Sequence, residues 1–152
     1  MTTYKIAILG DRNVGKSTFV ARHATGHFLE ADALSVDSYK VNINTNYGRV
    51  CLEFKPDVTK ADAAIFMFDL TSPKTMTSIK ERLPGLSDTF FVVCGNKSDS
   101  SRRVVTSKVF RTNFIELQMP LFEISAKSNY NYDKPFLVIL RHLMGHDDLV
   151  LM

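Results

Sequence analysis

The chain has no tryptophan, only two cysteines in 152 residues, and no apolar run near the ~18 residues that a membrane span requires. Cys51 and Cys94 both fall in apolar, strand-like runs, so they read as packed thiols of a reducing compartment and not as a disulfide framework. The polar start, MTTYK, lacks the pattern of a secretory signal, and the last residues, GHDDLVLM, hold no cysteine for C-terminal prenylation. A soluble intracellular protein without a membrane anchor is expected. Charge of one sign is also scarce: 19 Lys and Arg against 16 Asp and Glu leave a net +3, and the densest basic cluster, SSRRVV, reads as a solvated loop, so no nucleic-acid partner is expected. His23 and His27 lie four apart, but no third ligand completes a metal site, and a structural role is expected for them. Internal repeats and low-complexity segments are lacking too.

What is present is a 45% hydrophobic composition that suits one compact α/β domain over residues 1–152. Its most informative stretch follows the apolar run YKIAIL: Gly10, Asp11, Arg12, Asn13, Val14, Gly15, Lys16, Ser17 and Thr18 match G-x-x-x-x-G-K-[ST]. Glycines let backbone N–H groups converge on one anion, Lys16 can reach the outer phosphates of a nucleotide, and Ser17 can offer its hydroxyl to Mg²⁺. The strand before the loop and the helix TFVARHA after it supply the context the motif needs.

Further on, TGHFLEADALSVDSY is polar and aperiodic and reads as an exposed functional loop. KVNINT and RVCLEF flank the turn NYG and read as an antiparallel hairpin, with Asn46 and Gly48 available for positive φ. AAIFMFDL and TFFVVCG are continuous apolar runs typical of parallel strands buried on both faces. Helices are expected in SPKTMTSIKERL, stopped by Pro84-Gly85, in TSKVFRTNFIEL, and in DKPFLVILRHLM with Pro135 in its first turn; LFEIS reads as a short strand. Such alternation implies a mostly parallel sheet covered on both sides, with ligands beyond the carboxyl ends of its strands.

Two more motifs fall at such strand ends: NKSD, with Asn96, Lys97 and Asp99, and SAK, Ser125, Ala126 and Lys127. The Asp99 carboxylate can accept from both N1–H and the 2-amino group of guanine, donors that adenine does not offer. Lys97 can lie across the purine, Asn96 can bind its edge and tie loops together, and the Ala126 N–H can point at O6. In this order, behind a phosphate loop, the motifs resemble those of the small GTPases of the Ras superfamily. Within it the runs TFVARHATGHF, IFMFDLTS, VCGNKSD and ISAKSNYNYDKPFL resemble the Ran branch, which acts in nucleocytoplasmic transport. That resemblance implies a six-stranded, mostly parallel P-loop sheet flanked by helices, GTP/GDP and Mg²⁺ as ligands, and importin-β-type karyopherins and a Ran-type exchange factor as partners, in nucleus and cytoplasm.

The family pattern also breaks. In place of D-x-x-G-Q after the third strand stands KPDVTKAD: Asp57 can serve as the acidic residue near Mg²⁺, but Lys60 replaces the glycine and no Gln follows. About eight residues join Phe54 to Ala63, ~26 Å of extended chain, so the second switch helix should be missing, the connector should barely recross the sheet, and part of one sheet face should lie bare. Arg12 fills a loop position that is small in the family, where it should obstruct an incoming arginine finger or, as the lesser alternative, place its own guanidinium near the γ-phosphate as a finger in cis. Ser35 is the nearest counterpart of the switch threonine that closes over Mg²⁺, with Ser38 as the alternative. Weak or absent hydrolysis is therefore expected. The resemblance would continue into the acidic tail of the Ran branch, which is expected to be missing, and the basic patch that the tail would meet keeps only Arg111.

Overall fold

The computed structural model describes residues 2–25, 40–83, 88–125, 127–128 and 130–152. Six strands form one sheet in the order β2-β3-β1-β4-β5-β6: β1 Thr2–Leu9, β2 Lys40–Thr45, β3 Gly48–Lys55, β4 Ala63–Asp69, β5 Phe90–Asn96 and β6 Leu121–Glu123. Only β2 runs antiparallel, paired with β3 from Lys40↔Glu53 to Thr45↔Gly48. The helices are α1 Lys16–Thr25, α2 Pro73–Arg82, α3 Ser107–Phe114 and α4 Lys134–Met144. The helix expected across TSKVFRTNFIEL is shorter: α3 stops at Phe114, and Ile115–Leu117 tighten into a 3₁₀ turn that Gln118 ends at φ 54°. Within the hairpin turn Gly48 takes the positive φ of 113°, whereas Asn46 does not take one. The stop at Pro84-Gly85 lies outside the described residues, as do His27, the exposed loop with Ser35 and Ser38, and Ala126.

Two cores sit on the two sheet faces. The first packs α1 and α4 on Ile6, Ile8, Leu52, Phe54, Ile65 and Met67. Here His23 lies among rings, 4.0 Å from Phe136, 4.3 Å from Tyr132 and 4.8 Å from Phe19, centre to centre. Burial pushes its pKa down to about 3, so it is neutral, and its Nε2–H donates to the Tyr132 carbonyl at 2.9 Å. The Asp133 carboxylate, 3.8 Å from the other ring nitrogen, is thus not its ion-pair partner at neutral pH. The second core packs α2 and α3 on Ala64, Phe66, Phe68, Phe91 and Val93. Since β4 feeds both cores, all seven of its residues are buried, as its unbroken apolar run implies.

No helix stands between β3 and β4. The connector nevertheless crosses with ease, contrary to the expectation from its length, because the two strands are staggered. Lys55 at the end of β3 lies level with Ala7, and Ala63 at the start of β4 lies level with Ile6. Residues 56–62 have almost no axial distance to recover; they pass over β1 alone, two strand spacings or about 10 Å. Val58 and Ala61 press onto the second core on the way. Beyond them the sheet face over β3 and β2 is polar: the register sets Lys5 and Lys40 on either side of Glu53. The patch without a helix is therefore largely charged and polar, which a solvated face tolerates.

After α4, Gly145 turns the chain at φ 72° and the last residues return to the hairpin. Leu149 is fully buried, Leu151 bridges Thr45, and the Met152 N–H donates to the Asn44 carbonyl at 2.8 Å. Asn46 binds this segment three times, through its own N–H and both ends of its amide. Among the described residues no helix is long and apolar enough to cross a membrane.

Candidate functional site

The loop between β1 and α1 lies at the carboxyl end of the sheet, against the ends of β4 and β5. At Gly10 (φ 154°) a Cβ would run into the Met67 carbonyl oxygen, and at Gly15 (φ 104°) into the side-chain amide of Asn96. Both positions therefore need glycine for space as well as for backbone conformation. Asn13 takes the left-handed conformation, φ 68°. Lys16 folds over the loop and its ammonium donates to the Gly10 carbonyl. Its pKa is held below the usual lysine value, first by burial and then by the positive charge of Arg82, against the opposing effect of Asp11. Ser17 is half-buried, Thr18 is buried, and Arg12 is exposed.

The loop after β5 is tied to the phosphate loop by buried bonds. Asn96 donates to the Val14 carbonyl at 3.0 Å and accepts from the Lys97 N–H at 2.8 Å. Asn96 thus bonds the two loops directly. Lys97, at φ 66°, sends its ammonium to the Asn13 carbonyl at 3.2 Å and to Asp69 at 2.8 Å. Its position is thereby fixed beside the phosphate loop. Asp99 is exposed except that one carboxylate oxygen accepts from the buried Ser125 hydroxyl at 2.6 Å. Ser125 in turn accepts from the Ser128 N–H at 3.1 Å, so Ser125 orients the Asp99 carboxylate and is itself held in place. Lys127 is exposed.

Three features escaped sequence reasoning. Asp69 closes β4 as a buried carboxylate, taking Lys97 on one oxygen and both the N–H and hydroxyl of Thr71 on the other. Its place at the carboxyl end of a central strand was the available signal. Asp11 is more than loop backbone: its carboxylate accepts from Ser78 at 2.6 Å and Arg82 at 3.2 Å, both on α2. Their spacing of four puts them on one helix face, which the sequence also displayed. The docked C-terminal segment had no such periodic signal.

The connector after β3 is arranged differently. Asp57 is exposed and accepts from the Thr59 N–H at 2.9 Å, Lys55 donates to the Thr59 carbonyl at 3.0 Å, and Asp62 exchanges two 2.7 Å bonds with the Lys5 backbone. Lys60, where the family motif has glycine, sits in the left-handed region at φ 58°. The hydrogen bonds described for residues 56–62 thus stay within the connector or go to its two neighbouring strands.

The donor set suits a nucleotide: a glycine cradle that Cβ atoms would fill, a lysine at its mouth, and an oriented carboxylate at neighbouring strand ends. For Mg²⁺, Ser17 and Asp57 offer hard oxygen donors, while no group of three or more His, Cys, Asp or Glu side chains gathers among the described residues. Mg²⁺ is commonly held by few protein oxygens together with phosphates and water, so this sparse set is compatible with it.

Fold and site together define a phosphate-loop nucleotide-binding protein. Residues 54–145, well over half of the chain, match the model of the Ras family. The chain belongs to that family and is a small GTP-binding protein. The match includes Asn96–Asp99 and Ser125–Lys127; the phosphate loop lies before it and stands on its own geometry.

Proposed function

We propose that this chain is a Ran-like guanine-nucleotide-binding protein of the nucleocytoplasmic transport type, with impaired GTP hydrolysis, taking importin-β-type karyopherins and a Ran-type exchange factor as partners. The observation that carries the nucleotide part is the bonding of the base-reading and phosphate loops to each other: Asn96 to Val14, Lys97 to Asn13, and Asp99 set by Ser125. Its transport part rests on the run from Ile124 to Leu137 and the other Ran-like stretches. When bound, the nucleotide supplies the phosphoanhydride whose terminal phosphate is transferred to water. This chain's own residues would hold it: the loop N–H groups and Lys16 on the phosphates, Ser17, Asp57 and Ser35 toward Mg²⁺, and Asp99 on guanine. No Gln in KPDVTKAD orients an attacking water, and Arg12, which is exposed, would obstruct an incoming arginine finger.

A second reading, a non-switching mimic that occupies karyopherins or exchange factors, is favoured by one observation: the connector's bonds are local. Nucleotide extracted from the purified protein separates the two. Retained GTP supports slow hydrolysis, whereas an empty protein that still binds a karyopherin supports the mimic. Single-turnover phosphate release should be slower than the about 10⁻⁴ s⁻¹ of an intact small GTPase. Thousandfold stimulation by a Ran-type activating protein would overturn that expectation. On either reading, calorimetry with a karyopherin should find binding with GDP that is only modestly tighter with a non-hydrolysable GTP analogue; a hundredfold preference would mean a working switch.

A further inference from the structure

We propose that Arg82, carried by α2, is the residue through which this protein distinguishes a nucleoside triphosphate from the diphosphate. This rests on the reading of the cradle as a guanine-nucleotide site. In KPDVTKAD the family's glycine is replaced by Lys60, and the described bonds of the segment are local, so the segment shows no contact toward the cradle through which a terminal phosphate would be sensed. Among the described residues, only α2 sends two polar side chains to the carboxylate of a cradle residue: Ser78 and Arg82, one turn apart, both donate to Asp11. The Arg82 charge also acts on the Lys16 ammonium, so lysine, arginine and aspartate form one electrostatic cluster.

Asp11 is an anion within an anion-binding loop, and two donors from α2 offset it. Of the two, Ser78 makes the shorter bond, 2.6 Å, and the Arg82 contact is the looser, 3.2 Å, on a side chain 45% exposed. An ion pair of that kind is weak and exchangeable. A guanidinium offers several N–H donors in a planar fork suited to phosphate oxygens. A triphosphate carries more negative charge than a diphosphate, so it competes better with Asp11 for Arg82. Transfer of that contact would pull on the last turn of α2. Ser78 would stay with Asp11 and keep the carboxylate satisfied.

The experiment measures the affinities of fluorescent GDP and a fluorescent non-hydrolysable GTP analogue for the wild type, Arg82→Ala, Arg82→Lys and Asp11→Asn. Each protein is first checked for its melting transition. Arg82→Ala should lower the triphosphate-to-diphosphate affinity ratio about tenfold, the loss of one charge-assisted bond, and leave GDP affinity within about twofold. Arg82→Lys should recover part of the ratio. Asp11→Asn, which removes the competing charge, should raise it. If Arg82→Ala shifts both nucleotides equally or neither, the inference is overturned while the nucleotide site stands. A wild type that binds neither nucleotide overturns the site itself. Should Arg82→Ala melt early, the Lys and Asn variants carry the test, and an unchanged ratio in both overturns the proposal.

Discussion

The segments after β5 and after β3 both leave the sheet at its carboxyl edge, yet their bonding is opposite. Residues 96–99 reach the phosphate loop, the end of β4 and the SAK turn through side chains. Residues 56–62 bond to themselves, to Lys55 and to the Lys5 backbone. On the proposed reading, the groups that would recognise the base are thus built into one network with the loop that would hold the phosphates. The segment that would report how many phosphates are present is outside that network. Recognition would survive such a division, because pairing with the base would not need the connector to move; a two-state signal would.

The sharpest way to break this comparison is to cut the first network at its centre. Asn96→Ala removes the bonds of a buried amide to Val14, Lys97 and the Met67 sulfur and leaves the Val14 carbonyl and Lys97 N–H without these partners, so it should cost about 3 kcal/mol. Urea unfolding measures it, and a loss below about 1 kcal/mol would mean the two loops are held together by something else. Next in size is an acid effect in α1, the helix that continues the phosphate loop. His23 is held neutral down to about 3 in the folded chain, while in the unfolded chain it takes a proton near its usual value. Below about pH 6.5 the unfolded state therefore binds more protons, and stability falls with pH until about 3. From pH 7 to pH 5 the loss should be about 2 kcal/mol. Comparison with His23→Phe, which cannot titrate, isolates it; parallel acid legs for the two proteins would rule it out.

Asp99→Asn addresses recognition itself. It should move preference from guanine toward xanthine nucleotides and lower GDP affinity at least tenfold, about 1.4 kcal/mol, since bonds to a charged acceptor are lost. Titration with GDP, XDP and ATP reads this directly, and comparable affinity for GDP and ATP in the wild type would remove the guanine assignment. The smallest effect belongs to the connector. Lys60→Gly relieves a left-handed residue and should raise stability by roughly 0.5–1 kcal/mol without restoring hydrolysis. Thermal melting and phosphate release are the measurements; accelerated hydrolysis would give position 60 a part in catalysis.

The order of elements, the buried strands β4 and β5, the phosphate loop and the NKSD and SAK motifs were legible from residues alone. Each depends on local chemistry: apolar runs, glycine conformation and hydrogen-bonding groups at fixed spacing. Missing sequence for a switch helix was legible in the same way, as a short connector. How that connector crosses was not, because its path depends on the stagger of β3 against β4, a register that arises only when both pair with β1. The charge row Lys5, Glu53 and Lys40 likewise comes from three separate strands. Asp11 meeting Ser78 and Arg82, 67 and 71 residues away, required α2 to be laid over the sheet beside the loop. Sequence determined which groups this protein has for holding a nucleotide, since side-chain chemistry is a local property. Tertiary structure decided which of them meet, since a hydrogen bond acts over about 3 Å and only folding brings distant residues that close.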